Sequence, residues 1–296
     1  MKKLSALLLA FILILLCSCS DGNNASTPTD ASESETSSTT IKNGKTPVIT
    51  EWGTDLLPDS FPPPPNGTHD FTIEQKSAGA DGSAYATDFL KLTFVCPEHE
   101  FYSFTNKLLE LGYIGGSKKV TGGSYYSDGY HGYWQNGETY IKIAKASEAE
   151  SGEMIFELEV TRCTDNFPEA LEQYFLKFNG YCIGKGSFCG HNGNGEKIES
   201  EFTGSFGASS WHWEFRFGNG FAGVTREEFE DYFYAVEKSG YSGVLLTNTV
   251  DDFTIMAGDL VKSTPEGEYG VFMFYNTVLK TLEIAYTNDA SIYTGS

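Results

Sequence analysis

Five histidines, at positions 69, 99, 131, 191 and 212, are the side chains best suited to proton transfer near neutral pH, and no two of them stand at metal-ligand spacing. His69 precedes Asp70 and follows Asn66-Gly67, so a loop imidazole beside a carboxylate has the chemistry of a general base. His212 sits between Trp211 and Trp213 on a predicted strand, where alternation assigns it to the polar face with Glu214 and Arg216. The chain has no G-x-S-x-G elbow and no H-E-x-x-H helix, and Gly184-x-Gly186 lacks the third glycine of a phosphate loop. Asn192 to Gly195 with Glu201 has part of a calcium-loop spacing. Gly190 stands where that loop needs its first aspartate and Lys197 where it needs an aliphatic residue, so a hairpin turn is the better reading. No catalytic residue, metal ligand or cofactor site is assigned.

Ring density offers the remaining chemistry. Tyr126, Tyr130, Tyr133 and Trp134, in a glycine-rich stretch, are candidate ligand-binding residues, since exposed rings among polar groups make platforms for sugars or peptide side chains. Alternation also allows half of them to line a core. Cys96, Cys163, Cys182 and Cys189 are candidate disulfide cysteines with three pairings open. Cys182 and Cys189 would close a short loop across Gly184-Lys185-Gly186, and Cys96 and Cys163 a far longer one. Zinc is disfavoured because no pair has C-x-x-C spacing, and thiols remain the alternative.

The first residues carry the most specific signal. Lys2 and Lys3 precede an apolar run from Leu4 to Leu16 broken only by Ser5, which is too short to span a bilayer and has the layout of a secretory signal. The run ends in Leu16-Cys17-Ser18-Cys19, which resembles the lipobox of bacterial lipoproteins. That resemblance implies diacylglyceryl transfer to Cys19, cleavage after Ser18, and a product held to the extracytoplasmic face of the cell membrane by its acyl chains. A second, shorter resemblance covers Trp52, Leu57-Pro58 and Pro62, a W-x-x-x-x-LP-x-x-x-P lead-in similar to that of uncharacterised clostridial lipoproteins. It brings no activity with it.

Without residues 1–18 the chain keeps 18 basic and 40 acidic residues, a formal charge of −22. Phosphate backbones and anionic lipid heads are bound through clustered lysine and arginine, so nucleic acid is excluded as a partner. From Ser20 to about Thr46 the chain is mostly Ser, Thr, Asn, Asp and Ala with Ile41 as its only large apolar residue. A coil of that length spans roughly 30 Å and serves as a spacer.

An internal similarity organises the rest. With an offset of 128, Glu100-Phe101 through Leu108 to Gly112-Tyr113 matches Glu228-Phe229 through Val236 to Gly240-Tyr241. Each reads as an amphipathic helix stopped by glycine. Phe101, Phe104, Leu108 and Leu111 share a face in the first, Phe229, Phe233 and Val236 in the second, and Thr225 to Glu228 forms a capping box. A third helix is predicted from Pro168 to Phe178. Strands are predicted at Leu90 to Phe94 and Trp211 to Phe217 before the helices. After them come Tyr130 to Trp134, Thr139 to Ile143, Met154 to Thr161, Phe253 to Met256, Tyr269 to Tyr275 and Leu282 to Tyr286, with Asn136-Gly137 as a type I′ turn. The fold class expected is α+β, two related units of about four antiparallel strands and one helix each. The boundaries are 1–18 for the signal, 19–48 for the anchor cysteine and linker, and 49–164 and 165–296 for the two units. The functional expectation is a lipid-anchored module that binds an extracellular ligand or an envelope protein; the alternative is a hydrolase of the cell wall.

Overall fold

The computed structural model describes residues 56–78, 87–124, 126–163, 167, 171–180, 182–191, 197–198, 214–265 and 267–287, with 182–191, 197–198 and 214–219 as backbone only. Residues 48–296 group as one body. It contains two antiparallel sheets, each with a helix against one face, so the architecture is α+β with two sheet units.

The first sheet is built from β1 (His69–Lys76), β2 (Phe89–Cys96), β3 (Ile114–Val120), β4 (Gly129–Asn136), β5 (Thr139–Glu148) and β6 (Met154–Arg162), in the order β1-β2-β6-β5-β4-β3. Helix α1 (Glu98–Glu110) links β2 to β3. The second sheet is built from β7 (Cys182–His191), β8 (Lys197–Ile198), β9 (Glu214–Ala222), β10 (Ser242–Val250), β11 (Phe253–Thr264), β12 (Gly267–Asn276) and β13 (Thr281–Thr287), in the order β10-β11-β12-β13-β9-β7-β8. Helix α2 (Arg226–Lys238) links β9 to β10. Reading the second order backwards and setting aside the two-residue β8 reproduces the first, strand for strand. Helix α1, β3 and β5 begin 128 residues before α2, β10 and β12. The repeat thus extends from the helices to the whole sheet topology, and each sheet has more strands than the four expected.

The helices form for the reasons read in the sequence. Thr225 and Glu228 make both bonds of the capping box. After α1 the Gly112 N–H donates to the Leu109 carbonyl and the Tyr113 N–H to that of Leu108, the paired bonds of a Schellman stop, with Gly112 at φ +87°. Phe101, Phe104 and Leu108 are buried on the first sheet, and Phe229, Phe233 and Val236 on the second. Leu111 departs from expectation: it follows the last helical turn and is 37% exposed.

The predicted third helix is absent over Leu171–Gly180, which makes a single turn at Leu171 and then runs irregularly. Its apolar spacing is real, since Leu171, Phe175 and Phe178 are buried in the second core. Its carbonyls are drawn elsewhere, because the Tyr241 hydroxyl donates to the Tyr174 carbonyl and the Tyr232 hydroxyl to that of Leu176, at 2.9 and 2.6 Å. The lead-in of the first unit is the counterpart of this segment: Leu57 and Phe61 pack on the first core, and Ser60 and Tyr113 share a hydroxyl bond of 3.1 Å. Another difference is the turn after β4. Asn136 pairs with Thr139, so the loop is Gly137-Glu138, and only Gly137 has positive φ; the pattern is that of a II′ hairpin.

The two sheets meet through one end of the first. A Cβ placed on Gly116 in β3 would lie 2.1 Å from the Val278 carbonyl oxygen, so only glycine permits this approach. Ala222 of β9 joins Phe89, Tyr140 and Cys163 in a small cluster against which Tyr133 packs.

Candidate functional site

His69 opens β1 beside Glu153, which directly precedes β6. Its Nδ1 lies 2.9 Å from an Asp70 carboxylate oxygen and its Nε2 3.1 Å from one of Glu153, which also accepts from the Ser151 hydroxyl at 3.0 Å. Both ring nitrogens face carboxylates, an arrangement that an imidazolium satisfies with two donors. The hydrogen bonds to Glu153 and then Asp70 raise the His69 pKa, and the one to His69 lowers that of Glu153. With each ring nitrogen engaged by a carboxylate, His69 ties the start of β1 to the turn before β6 as a clamp between strands.

The four candidate rings do not form a platform. Trp134 and Tyr130 point into the first core, 1% and 6% exposed. Tyr133 lies between the sheets, where burial and then the charges of Glu283 and Glu159 push its hydroxyl up to about 12. Tyr126 packs on Phe253 at 4.3 Å and on His131 at 5.3 Å, and its hydroxyl accepts from the Asn276 amide at 2.7 Å. Sheet alternation explains the pair in the core, and contact with the second unit explains the others.

The cysteines are likewise structural. Cys96 belongs to the first core and Cys163 to the small inter-sheet cluster, both as buried thiols, so they do not bridge. Burial lifts the Cys96 thiol to about 12, which keeps it protonated and unreactive. Cys182 and Cys189 lie on the single strand β7, where they pair with Phe221 and Arg216 of β9. Five residues of strand separate those partners, roughly 16 Å, beyond the reach of a disulfide. The loop expected between them is strand with a bulge at Ile183 to Ser187. His212, residues 192–196 and 199–201, Trp52 and the Cys19 lipobox lie outside the described residues, while β7 and β8 pair antiparallel on either side of 192–196, as a hairpin there requires.

The recesses on the surface of the described residues include two with polar walls. One, of about 320 Å³, is lined by Pro58, Gln75, Asp88, Glu138, Thr161 and Arg162, among others. The other, of about 530 Å³, lies where the irregular 171–180 segment meets the end of α2, and its polar walls include Glu172, Gln173, Lys177, Asn179, Ser239 and Lys262, with Tyr174 beside them. There the Lys262 ammonium donates to the Ser239 carbonyl at 3.2 Å and sits 5.6 Å from the centre of the Tyr241 ring. Two ammonium groups set among amides, a hydroxyl, a tyrosine and the Glu172 carboxylate suit a polar ligand that carries an acidic group together with hydrogen-bond donors. The recess is not legible in the sequence because its residues come from three places in the chain, and the 171–180 part has the apolar spacing of a helix that does not form.

A buried carboxyl completes the inventory. Glu283 sits on the face of β13 turned away from α2, opposite Phe274 and Gly220, and its Oε2 is shut off from water with no hydrogen-bond partner. Burial raises its pKa to about 7.

Among the described residues no group of three or more histidine, cysteine or acidic side chains is placed to hold a metal ion, and no helix is long and apolar enough to cross a membrane. No family model, no curated protein and no solved structure matches this chain.

Proposed function

We propose that the chain is a lipid-anchored lipoprotein of the extracytoplasmic membrane face whose folded body is a binding module, with the recess beside Lys262 as its ligand site. The anchor part of this reading is supported by the run from Leu4 to Leu16 ending in Leu16-Cys17-Ser18-Cys19. The binding part is carried by the recess, whose wall places the Lys262 ammonium beside amides and a tyrosine in a chain that is otherwise strongly acidic. The hydrolase alternative would draw on His69 with its two carboxylates, and the engagement of both ring nitrogens argues against it.

Each half has its own test. Intact mass of membrane-extracted protein should show a chain starting at Cys19 and carrying diacylglyceryl, and Cys19→Ala should leave it unlipidated; an unmodified Met1 start would reject the anchor. Thermal unfolding against acidic oligosaccharides, wall fragments and peptides tests the module. A ligand at a hundred times its Kd stabilises by about 2.7 kcal/mol, a shift that Lys262→Glu should abolish. A ligand whose shift survives Lys262→Glu binds elsewhere and rejects the recess.

A further inference from the structure

A strand at the edge of a sheet leaves a row of main-chain N–H and C=O groups unpaired, and folded proteins guard such edges with charge, proline or a covering segment. Four strands lie at sheet edges among the described residues: β1, β3, β8 and β10. Strand β1 carries Asp70, Glu74 and Lys76, β3 carries Lys118 and Lys119, and β8 carries Lys197. Strand β10, Ser-Gly-Val-Leu-Leu-Thr-Asn-Thr-Val, has nine residues with no charge and no proline. The contrast with β3, its counterpart in the repeat, is informative: β3 is covered by the second unit at Gly116 and Val278, while among the described residues β10 pairs with β11 alone and leaves Val244 52% exposed.

We infer that β10 is a self-association edge, which pairs antiparallel with β10 of a second copy about a two-fold axis at Leu246. The occupant is indicated by charge. At the far end of β10 stands Asp252, 3.7 Å from the Lys118 ammonium of its own chain and with its side chain still 94% exposed, and at the near end the Lys262 ammonium lies 3.6 Å from where a Cβ on Gly240 would be. With Leu246 opposite its own copy, Ser242 faces Val250 and Gly240 faces Asp252. Each end of the shared ladder then brings Asp252 of one copy to Lys262 of the other, whereas a parallel arrangement would set like charge against like. The side chains agree with this register. Leu245 packs on the second core, so Val244, Leu246 and Asn248 share the opposite face. Pairing places Leu246 beside Leu246 and Val244 opposite Asn248, with no charged pair along the strand. A two-fold, self-complementary contact of this kind closes at the dimer. The inference stands on the folded body and does not rest on the lipid anchor or on the identity of the recess ligand.

The test uses the full chain in its membrane and after detergent extraction. Leu246→Cys should give a covalent dimer with a short bis-maleimide, and Leu109→Cys, exposed on α1, should not. When a Val244→Cys copy is mixed with an Asn248→Cys copy, cross-linking should exceed that of either variant with itself. In light scattering or sedimentation of the extracted protein, Asp252→Lys or Lys262→Asp should each weaken the dimer by roughly two- to tenfold, the range of two exposed ion pairs. The double exchange should restore it, an outcome that loss of fold cannot mimic. A monomer at all concentrations without Leu246→Cys cross-links overturns the inference. So does preferential linkage of Val244→Cys to itself, or linkage of Leu246→Cys only to a different protein.

Discussion

The Asp251 carboxylate accepts hydrogen bonds from both the main-chain N–H and the hydroxyl of Ser124, at 2.7 and 2.8 Å, across a sequence separation of 127 residues. A third bond, from the Tyr126 N–H at 2.8 Å, reaches its other oxygen. One side chain on the β10–β11 turn therefore gathers the loop between β3 and β4 of the other unit. Asp251 holds this position at φ +49° beside Asp252 at φ +59°, as a two-residue I′ turn requires.

Asp251→Ala should destabilise the body by about 2–4 kcal/mol, because it removes charge-assisted bonds and puts a Cβ without a polar group in the left-handed region. Asp251→Gly relieves that strain and loses the same bonds, so it should recover only about 1 kcal/mol of the loss. Denaturant unfolding of the two variants separates the contributions. Equal stability of Asp251→Gly and the parent would mean that the clasp contributes no more than the backbone strain that glycine relieves.

This clasp shows where sequence reading stops. The helices were legible because their signals are local: Thr225 and Glu228 cap within one turn, and Gly112 and Gly240 stop the chain where an apolar tyrosine follows. The strands β4, β5, β6, β11, β12 and β13 were legible from alternation. Edge strands β1, β3 and β10 were missed because half-buried, glycine-bearing or polar sequences such as Ile-Gly-Gly-Ser-Lys-Lys-Val lack a two-residue period. Alternation gave half of the rings at 126, 130, 133 and 134 to a core, where Tyr130 and Trp134 lie, but a strand's pattern does not say whether its other face is covered, and here both faces are.

The His69 clamp predicts a pH window. His69 has its pKa raised in the fold, so its contribution is full below about 6.5 and is lost as pH rises through the folded value. Glu153 has its pKa lowered, so its contribution is present above about 4.5 and is lost as pH falls through the folded value. The β1–β6 corner should be firmest at mildly acid pH. Hydrogen exchange at Thr72 and Ile155 should slow from pH 8.5 to pH 5.5, after correction for intrinsic rates, in the parent and not in His69→Gln; identical profiles would remove His69 from the account.

Repeat-related positions make a matched pair of tests. Phe101 stacks on Phe156 with ring centres 3.7 Å apart, and Phe229, its counterpart, stacks on Tyr275 at 5.0 Å. Both are essentially inaccessible, at 1% and 0%. Phe101→Ala and Phe229→Ala should each cost about 3–5 kcal/mol, since each leaves a ring-sized cavity under a helix. If the two sheets unfold as one unit, either variant lowers a single transition. Two separated transitions, with only one moved by each variant, would show that the units unfold independently.

Glu283 shifts in the opposite direction from Glu153. Its carboxyl is raised to about 7 by burial, so between about 4.5 and 7 the folded state holds a proton that the unfolded chain has released. Stability therefore falls as pH rises through that window, and above it the fold bears a buried carboxylate oxygen without a donor. Glu283→Gln keeps the shape and removes the charge. It should stabilise the protein at pH 8 by on the order of 2 kcal/mol and leave it nearly unchanged at pH 4.5. The Tyr133 hydroxyl, held up in part by the Glu283 charge, should titrate at lower pH in the variant, which absorbance at the tyrosinate band reads directly. A variant with unchanged stability at pH 8 and unchanged Tyr133 titration would place the Glu283 carboxylate in water.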